Sequence, residues 1–153
     1  MKIAVIPART GSKRIKNKNF KIFHDKPIIE IVIDKILKFN FFDKIFVTIN
    51  DKKICNYYKK YSSKINILYR DEAVSNDDST IYDVMQYSLK QIKRYRIQPK
   101  FICCIYPTSV FIDKKNLVKG YMAIQNQNYD YSFGVKLAEK SIDSFFKLDK
   151  NLN

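Results

Sequence analysis

The sequence is short of residues that break or bend a chain: three glycines and four prolines in 153 positions. That scarcity argues against a linker-rich or disordered protein. No uncharged apolar run reaches about 18 residues, so no membrane-spanning helix is expected. The opening apolar run, residues 3–6, is too short for a secretory signal core, and basic residues follow it closely. A cytoplasmic protein is the expectation. Cysteine is equally scarce: Cys103 and Cys104 are adjacent within an apolar run, and Cys55 stands alone. An odd count without zinc-ligand spacing argues against a disulfide framework or a zinc site, and leaves three small, buried apolar residues. The single histidine, His24, lies in the turn-like segment FHDKP and receives no catalytic role.

Acidic residues are the other shortage, 15 against 29 Lys and Arg, for a net charge of +14. Such an excess raises the question of nucleic acid. The lysines, however, are scattered over almost every segment rather than gathered in one tail, so no dedicated nucleic-acid partner is assigned. A basic surface equally attracts a nucleoside triphosphate. The balance of 46% hydrophobic and 29% charged residues is that of a globular protein, and the length suits one domain over residues 1–153.

Five short apolar runs read as buried strands: residues 2–6 (KIAVI), 45–49 (IFVTI), 65–69 (INILY), 101–106 (FICCIY) and 131–135 (YSFGV). One-faced helical patterns lie between them. Pro27 suits a first turn, after which Ile29, Val32, Ile33 and Ile36 recur on one face. Residues 51–61 form a second candidate. Asp78 or Ser79 is expected to cap a third, with Ile81, Val84, Met85, Ser88, Leu89 and Ile92 as its core stripe. Asp113 is expected to cap a fourth, carrying Leu117, Tyr121 and Ile124. Tyr57, Tyr58 and Tyr61 read as a half-buried helix face, and Asp71, Glu72, Asp77 and Asp78 as a solvated, capping loop. This alternation predicts an α/β fold, a three-layer α/β/α arrangement around a mainly parallel sheet. Ligands in such sheets bind beyond the carboxyl ends of the strands, near the switch point.

The loop after the first strand sits at that place. Five of its thirteen residues, 7–19, are Arg or Lys, and none is acidic. Gly11 lets the backbone approach a ligand closely, and successive N–H groups can cradle phosphate oxygens. Ser12 can donate a hydrogen bond, while Arg9, Lys13 and Lys18 can neutralise a triphosphate. Neither the GxGxxG nor the GxxxxGK[ST] fingerprint is present.

The stretch IPARTGSKRIKNKN resembles the N-terminal signature of the CMP-sialic acid synthetases and pseudaminic acid cytidylyltransferases, roughly IPARxGSKxIPxKN. Residues 42–48, Arg70 with the acidic stretch and Thr80 after it, and the segments 103–106 (CCIY) and 107–109 (PTS) extend the resemblance over essentially the whole chain. It implies a Rossmann-like fold of the nucleotide-diphospho-sugar transferase type. It implies that CMP from CTP is joined to a nine-carbon sugar acid with Mg²⁺ and release of pyrophosphate. Arg9, Gly11, Ser12, Lys13, Lys18, Asn19 and Arg70 would bind the nucleotide, with Arg9 and Lys18 serving the catalytic electrostatics. Tyr106, where the sialic branch carries glutamine, and Thr108 would meet the sugar acid, and Tyr106 favours the pseudaminic branch.

Four departures accompany the resemblance. Lys16 replaces a proline of the loop. Asn50 replaces the first of two aspartates, which weakens a metal role there. Ile112 replaces an arginine expected to contact the sugar acid. The family's members are longer, and their metal-binding aspartates are expected beyond Asn153, so the sheet is expected to be incomplete at its C-terminal side. A homodimer is implied for a full-length form. An inactive nucleotide-binding paralogue and a different nucleotide-sugar nucleotidyltransferase are the competing readings.

Overall fold

A computed structural model describes residues 1–12, 14–61, 63–127 and 129–135. The chain divides into two compact units, Met1–Lys114 and Lys115–Asn153. The first holds a four-stranded sheet in the order β5-β4-β1-β6, formed by β1 (Lys2–Ala8), β4 (Lys44–Ile49), β5 (Ile65–Tyr69) and β6 (Phe101–Cys104). Every pairing in it is parallel. A two-stranded hairpin, β2 (Ile22–Phe23) and β3 (Lys26–Pro27), precedes helix α1 (Ile28–Phe39). Helices α2 (Lys52–Tyr61) and α3 (Ile81–Arg94) supply the next two crossovers.

Burial explains the strand order. The central strands β1 and β4 are apolar on both faces, as a sheet covered on both sides requires. Ala4, Ile6, Ala8, Ile45, Val47 and Ile49 pack against Ile29, Val32, Ile33 and Ile36 of α1 and Cys55 and Tyr58 of α2. On the other face Ile3, Val5, Phe46 and Leu68 meet Ile92 and Met85 of α3. Each fully buried aliphatic side chain on α1 contributes about 1.5–3 kcal/mol. Truncating one, such as Ile33→Ala, would cost about 2–5 kcal/mol.

Four of the five expected strands form, at nearly the expected bounds. Residues 131–135 do not. They are non-strand, with Tyr131, Phe133 and Val135 all 74% exposed or more. Alternation alone does not make a strand; a ladder partner does, and none pairs with this run among the described residues. In the second unit α4 (Lys114–Gln127) directly follows Asp113, as expected, and Ser132 Oγ donates to the Gly120 carbonyl at 3.0 Å.

Helix caps need two corrections. Pro27 is the cap of α1 rather than part of its first turn. Helix α3 is capped by Thr80, not by Asp78 or Ser79: Thr80 Oγ1 accepts from the Asp83 N–H, and Asp83 accepts from the Thr80 N–H in return. Ile81, expected in the core stripe, is 41% exposed in the first turn, while Val84, Ser88 and Ile92 are buried.

Pro7 shapes the edge of the sheet that matters most. Val5 gives its carbonyl to Ile105 N–H at 3.0 Å, so odd residues of β1 face β6. Pro7 therefore faces β6 with no N–H to offer. The β1–β6 register ends at Val5 and Cys104, whereas β1–β4 continues to Ala8 and Ile49. The strands part beyond that point, where the chain order switches from one side of β1 to the other.

Candidate functional site

Parallel strands end on the same side, so the residues following β1, β4, β5 and β6 gather at one edge. Arg9 and Thr10 follow β1, Asn50 follows β4, and Arg70 follows β5, its N–H bonded to the Ile49 carbonyl at 2.8 Å. Tyr106 and Thr108 follow β6 and are exposed. The turn that carries them is held by Ser109 N–H to the Tyr106 carbonyl and by Lys35 Nζ of α1, which donates to the Val110 carbonyl at 2.5 Å.

Arg9 does not reach freely into solvent. Its Nη1 donates to the Asn76 carbonyl at 2.9 Å and to the Ser75 carbonyl at 3.5 Å, and its Nη2 pairs with Asp77 Oδ1 at 3.0 Å. The loop after β5 thereby reaches back to the loop after β1. The same loop holds Arg70, whose Nε donates to Ser75 Oγ at 3.0 Å, while Ser75 Oγ donates to the Asp71 carbonyl at 2.7 Å.

Arg70 is the most telling group of the site. It is 2% exposed, and no carboxylate pairs with it among the described residues. Burial, and then the neighbouring Arg9 charge, push its pKa down to about 10. A buried guanidinium beside a second one carries a poorly compensated charge, which a bound anion would relieve.

The backbone of the loop is shaped to meet such an anion. Gly11 is exposed at φ +79, a conformation that favours glycine. Gly11 and Ser12 make no hydrogen bond among the described residues. Asn17, at φ 52, leads into a 3-10 turn over Lys18–Phe20, which leaves Lys18 exposed. Asn19 is buried and donates Nδ2 to the Arg9 carbonyl at 3.0 Å. Lys13 lies outside the described residues.

Sequence reasoning thus names residues that the structure brings together: Arg9, Gly11, Ser12, Asn19 and Arg70. It misses Asn50, Ser75, Asn76 and Asp77. Asn50 was legible in principle, because the residue after a strand neighbouring β1 must lie beside the loop after β1. Asp71 and Asp77, read as solvated, have partners: Asp71 accepts from Tyr87 and Asp77 from Arg9. Ile112, where an arginine was expected, packs onto the core.

Metal ligation does not fit the described residues. No group of three or more His, Cys, Asp or Glu is placed to hold an ion among them. Asp51 Oδ1 accepts the Ile54 N–H at the start of α2, and the Asn50 amide is engaged by Thr10. Cys103 and Cys104 are held by burial at about 11, which makes them poor nucleophiles. Among the described residues, no helix is long and apolar enough to cross a membrane.

The chain is similar to known cytidylyltransferases. The family model described as "Cytidylyltransferase" matches residues 3–150. The pseudaminic acid cytidylyltransferase of Campylobacter jejuni serotype O:2 is 31% identical over 97% of this chain and 64% of its own length. A Helicobacter pylori protein, "Pseudaminic acid cytidylyltransferase and UDP-2,4-diacetamido-2,4,6-trideoxy-beta-L-altropyranose hydrolase", is 32% identical over 86% of this chain and 25% of its own length. The chain therefore spans less than two thirds of these relatives. In three dimensions it matches CMP:2-keto-3-deoxy-manno-octonic acid synthetase complexed with CTP, with a TM-score of 0.63 at 16% identity, over 83% of this chain and 48% of the other. At that identity the likeness shows the fold.

Proposed function

The chain belongs to the cytidylyltransferase family, and on that premise we propose that it binds CTP and activates a nine-carbon sugar acid as its CMP derivative. The pseudaminic class is favoured over the sialic. The observation that carries this reading is the buried Arg70, without a carboxylate partner among the described residues and beside Arg9, whose own loop continues into Gly11 and Ser12, which make no hydrogen bond among the described residues.

The chemistry asked of these residues is electrostatic. The anomeric hydroxyl attacks the α-phosphorus in line, the bond to the β-phosphate oxygen breaks, and pyrophosphate leaves. Such a transfer is accelerated by alignment and by neutralising charge on the departing oxygens. Arg9, Lys18 and Arg70 supply positive charge, and the Gly11 and Ser12 N–H groups supply oriented dipoles. Tyr106 and Thr108, exposed beyond β6, are assigned to the sugar acid in this reading. The divalent ion, Mg²⁺ in this reading, finds no carboxylate, histidine or cysteine cluster to hold it among the described residues. A cytoplasmic single-domain chain, without a dedicated nucleic-acid or membrane partner and dimeric when full length, completes the proposal.

The test is calorimetric binding of CTP, ATP, GTP, UTP and a short DNA duplex to the chain with Mg²⁺ present. Selective CTP binding, weakened at least tenfold by Arg9→Ala, is expected. Pyrophosphate release with pseudaminic and sialic acids then reads turnover. Binding of DNA, or no preference among nucleotides, would overturn the assignment.

A further inference from the structure

The peptide unit joining Arg9 to Thr10 is gripped at both ends. Its carbonyl accepts from Asn19 Nδ2 at 3.0 Å. Its N–H donates to Asn50 Oδ1 at 2.9 Å, and the Thr10 hydroxyl donates to the same oxygen at 3.3 Å. The backbone partners fix which way each amide faces, since a carbonyl needs the Nδ2 donor and an N–H needs the Oδ1 acceptor. Asn19 is buried and Asn50 half-buried, so neither side chain is free to wander.

We propose that Asn50 is a positioning residue for the nucleotide phosphates, closing with Asn19 a clamp on this peptide. The inference rests on the reading that the loop after β1 binds the nucleotide. Locking the Arg9–Thr10 peptide sets the direction in which the chain enters Gly11, and hence where the Gly11 and Ser12 N–H groups point. It also fixes the backbone from which the Arg9 side chain departs. What the clamp needs at position 50 is an acceptor oxygen, so an aspartate there would accept the same two bonds from Thr10 and serve the same clamp.

Two substitutions separate geometry from charge. Asn50→Leu removes the acceptor at similar size; Asn50→Asp keeps it and adds the charge. Affinities for CTP and CMP are measured by calorimetry at about 0.05 M and about 0.5 M salt, a range over which screening of exposed charges changes severalfold. Asn50→Leu is expected to weaken CTP at least tenfold and CMP less, with the deficit surviving at high salt. Asn50→Asp, which keeps the acceptor, is expected to hold CTP affinity close to wild type at high salt, where its added charge is screened. A merely structural role would lower both nucleotides together. Equal losses for CTP and CMP, or CTP affinity within twofold of wild type for Asn50→Leu, would overturn the proposal. Should Asn50→Leu fail to fold by circular dichroism, Asn50→Ala decides on the same criteria: a deficit larger for CTP than for CMP supports the clamp, and equal losses or none overturn it. Failure of the underlying reading looks different, because wild type would then bind no CTP and Arg9→Ala would change nothing; the proposal would fall with it.

Discussion

Asp77 occupies the arginine that a nucleotide would need, and removing its charge should therefore tighten nucleotide binding. The perturbation is Asp77→Asn, nearly isosteric. Two of the three Arg9 contacts go to the Ser75 and Asn76 carbonyls and survive it, so Arg9 stays in place. Among what is lost is the 3.0 Å pair between side chains 34% and 41% exposed. Pairs at that exposure are worth about 0.2–1 kcal/mol. At about 1.4 kcal/mol per decade, the released arginine should bind CTP roughly 1.4–5-fold more tightly. Asp78→Asn provides the control. It removes the same charge one residue away, and Arg9 bonds Ser75, Asn76 and Asp77 but not Asp78 among the described residues. Calorimetry of both variants with CTP, at low and moderate salt, reads the difference. The gain for Asp77→Asn should exceed that for Asp78→Asn and diminish with salt. Equal gains would mean that net charge alone acts. A loss for Asp77→Asn would mean that Asp77 holds the loop in its binding-competent form, and would refute the competition argument.

Two other predictions concern the scaffold. Thr48 is fully buried in β4 and its hydroxyl has no partner among the described residues; Thr48→Val, equal in shape, should raise stability by about 1 kcal/mol in urea unfolding, and destabilisation would show that the hydroxyl is satisfied. Burial pushes the Asp34 carboxyl up, but the Lys26 and Tyr61 hydrogen bonds outweigh it and hold the group below its ordinary range. Its contribution is thus complete above the unfolded value near 3.8 and is lost as pH falls through the lower folded value. Asp34→Asn should flatten the acid limb of the stability curve there, and an unchanged limb would contradict the assignment.

The parallel sheet was legible because β1 and β4 are buried on both faces, which writes itself as continuous apolar runs. The same signal failed at residues 131–135, where Tyr131, Phe133 and Val135 alternate without a ladder partner. Period-two patterning states that a segment could serve as a strand; what it pairs with is decided elsewhere in the chain. The Thr80 cap lay one residue beyond the expected positions, although the Thr80–Asp83 spacing carries the capping-box signal. At the site, the composition and glycine of the loop gave Arg9, Gly11 and Ser12 directly. The capture of Arg9 by residues 75–77 was not readable, because it joins loops more than sixty positions apart through backbone carbonyls, which carry no sequence identity. Asn50 was noticed only as a missing aspartate; its acceptor role emerges once β4 is known to lie beside β1.

The placement of β1 at the centre of the sheet has a consequence for how the chain is made. Ile3 aligns with Lys44 on one side and Ile102 on the other, so its neighbours are synthesised about 40 and about 100 residues later. At about 5–20 residues per second, the first apolar strand leaves the ribosome about 5–20 s before its second neighbour exists. Contacts of that separation also slow folding after release. The segment that leads into the loop after β1 is the one exposed longest, and its dependence on molecular chaperones during synthesis should exceed that of the other described strands.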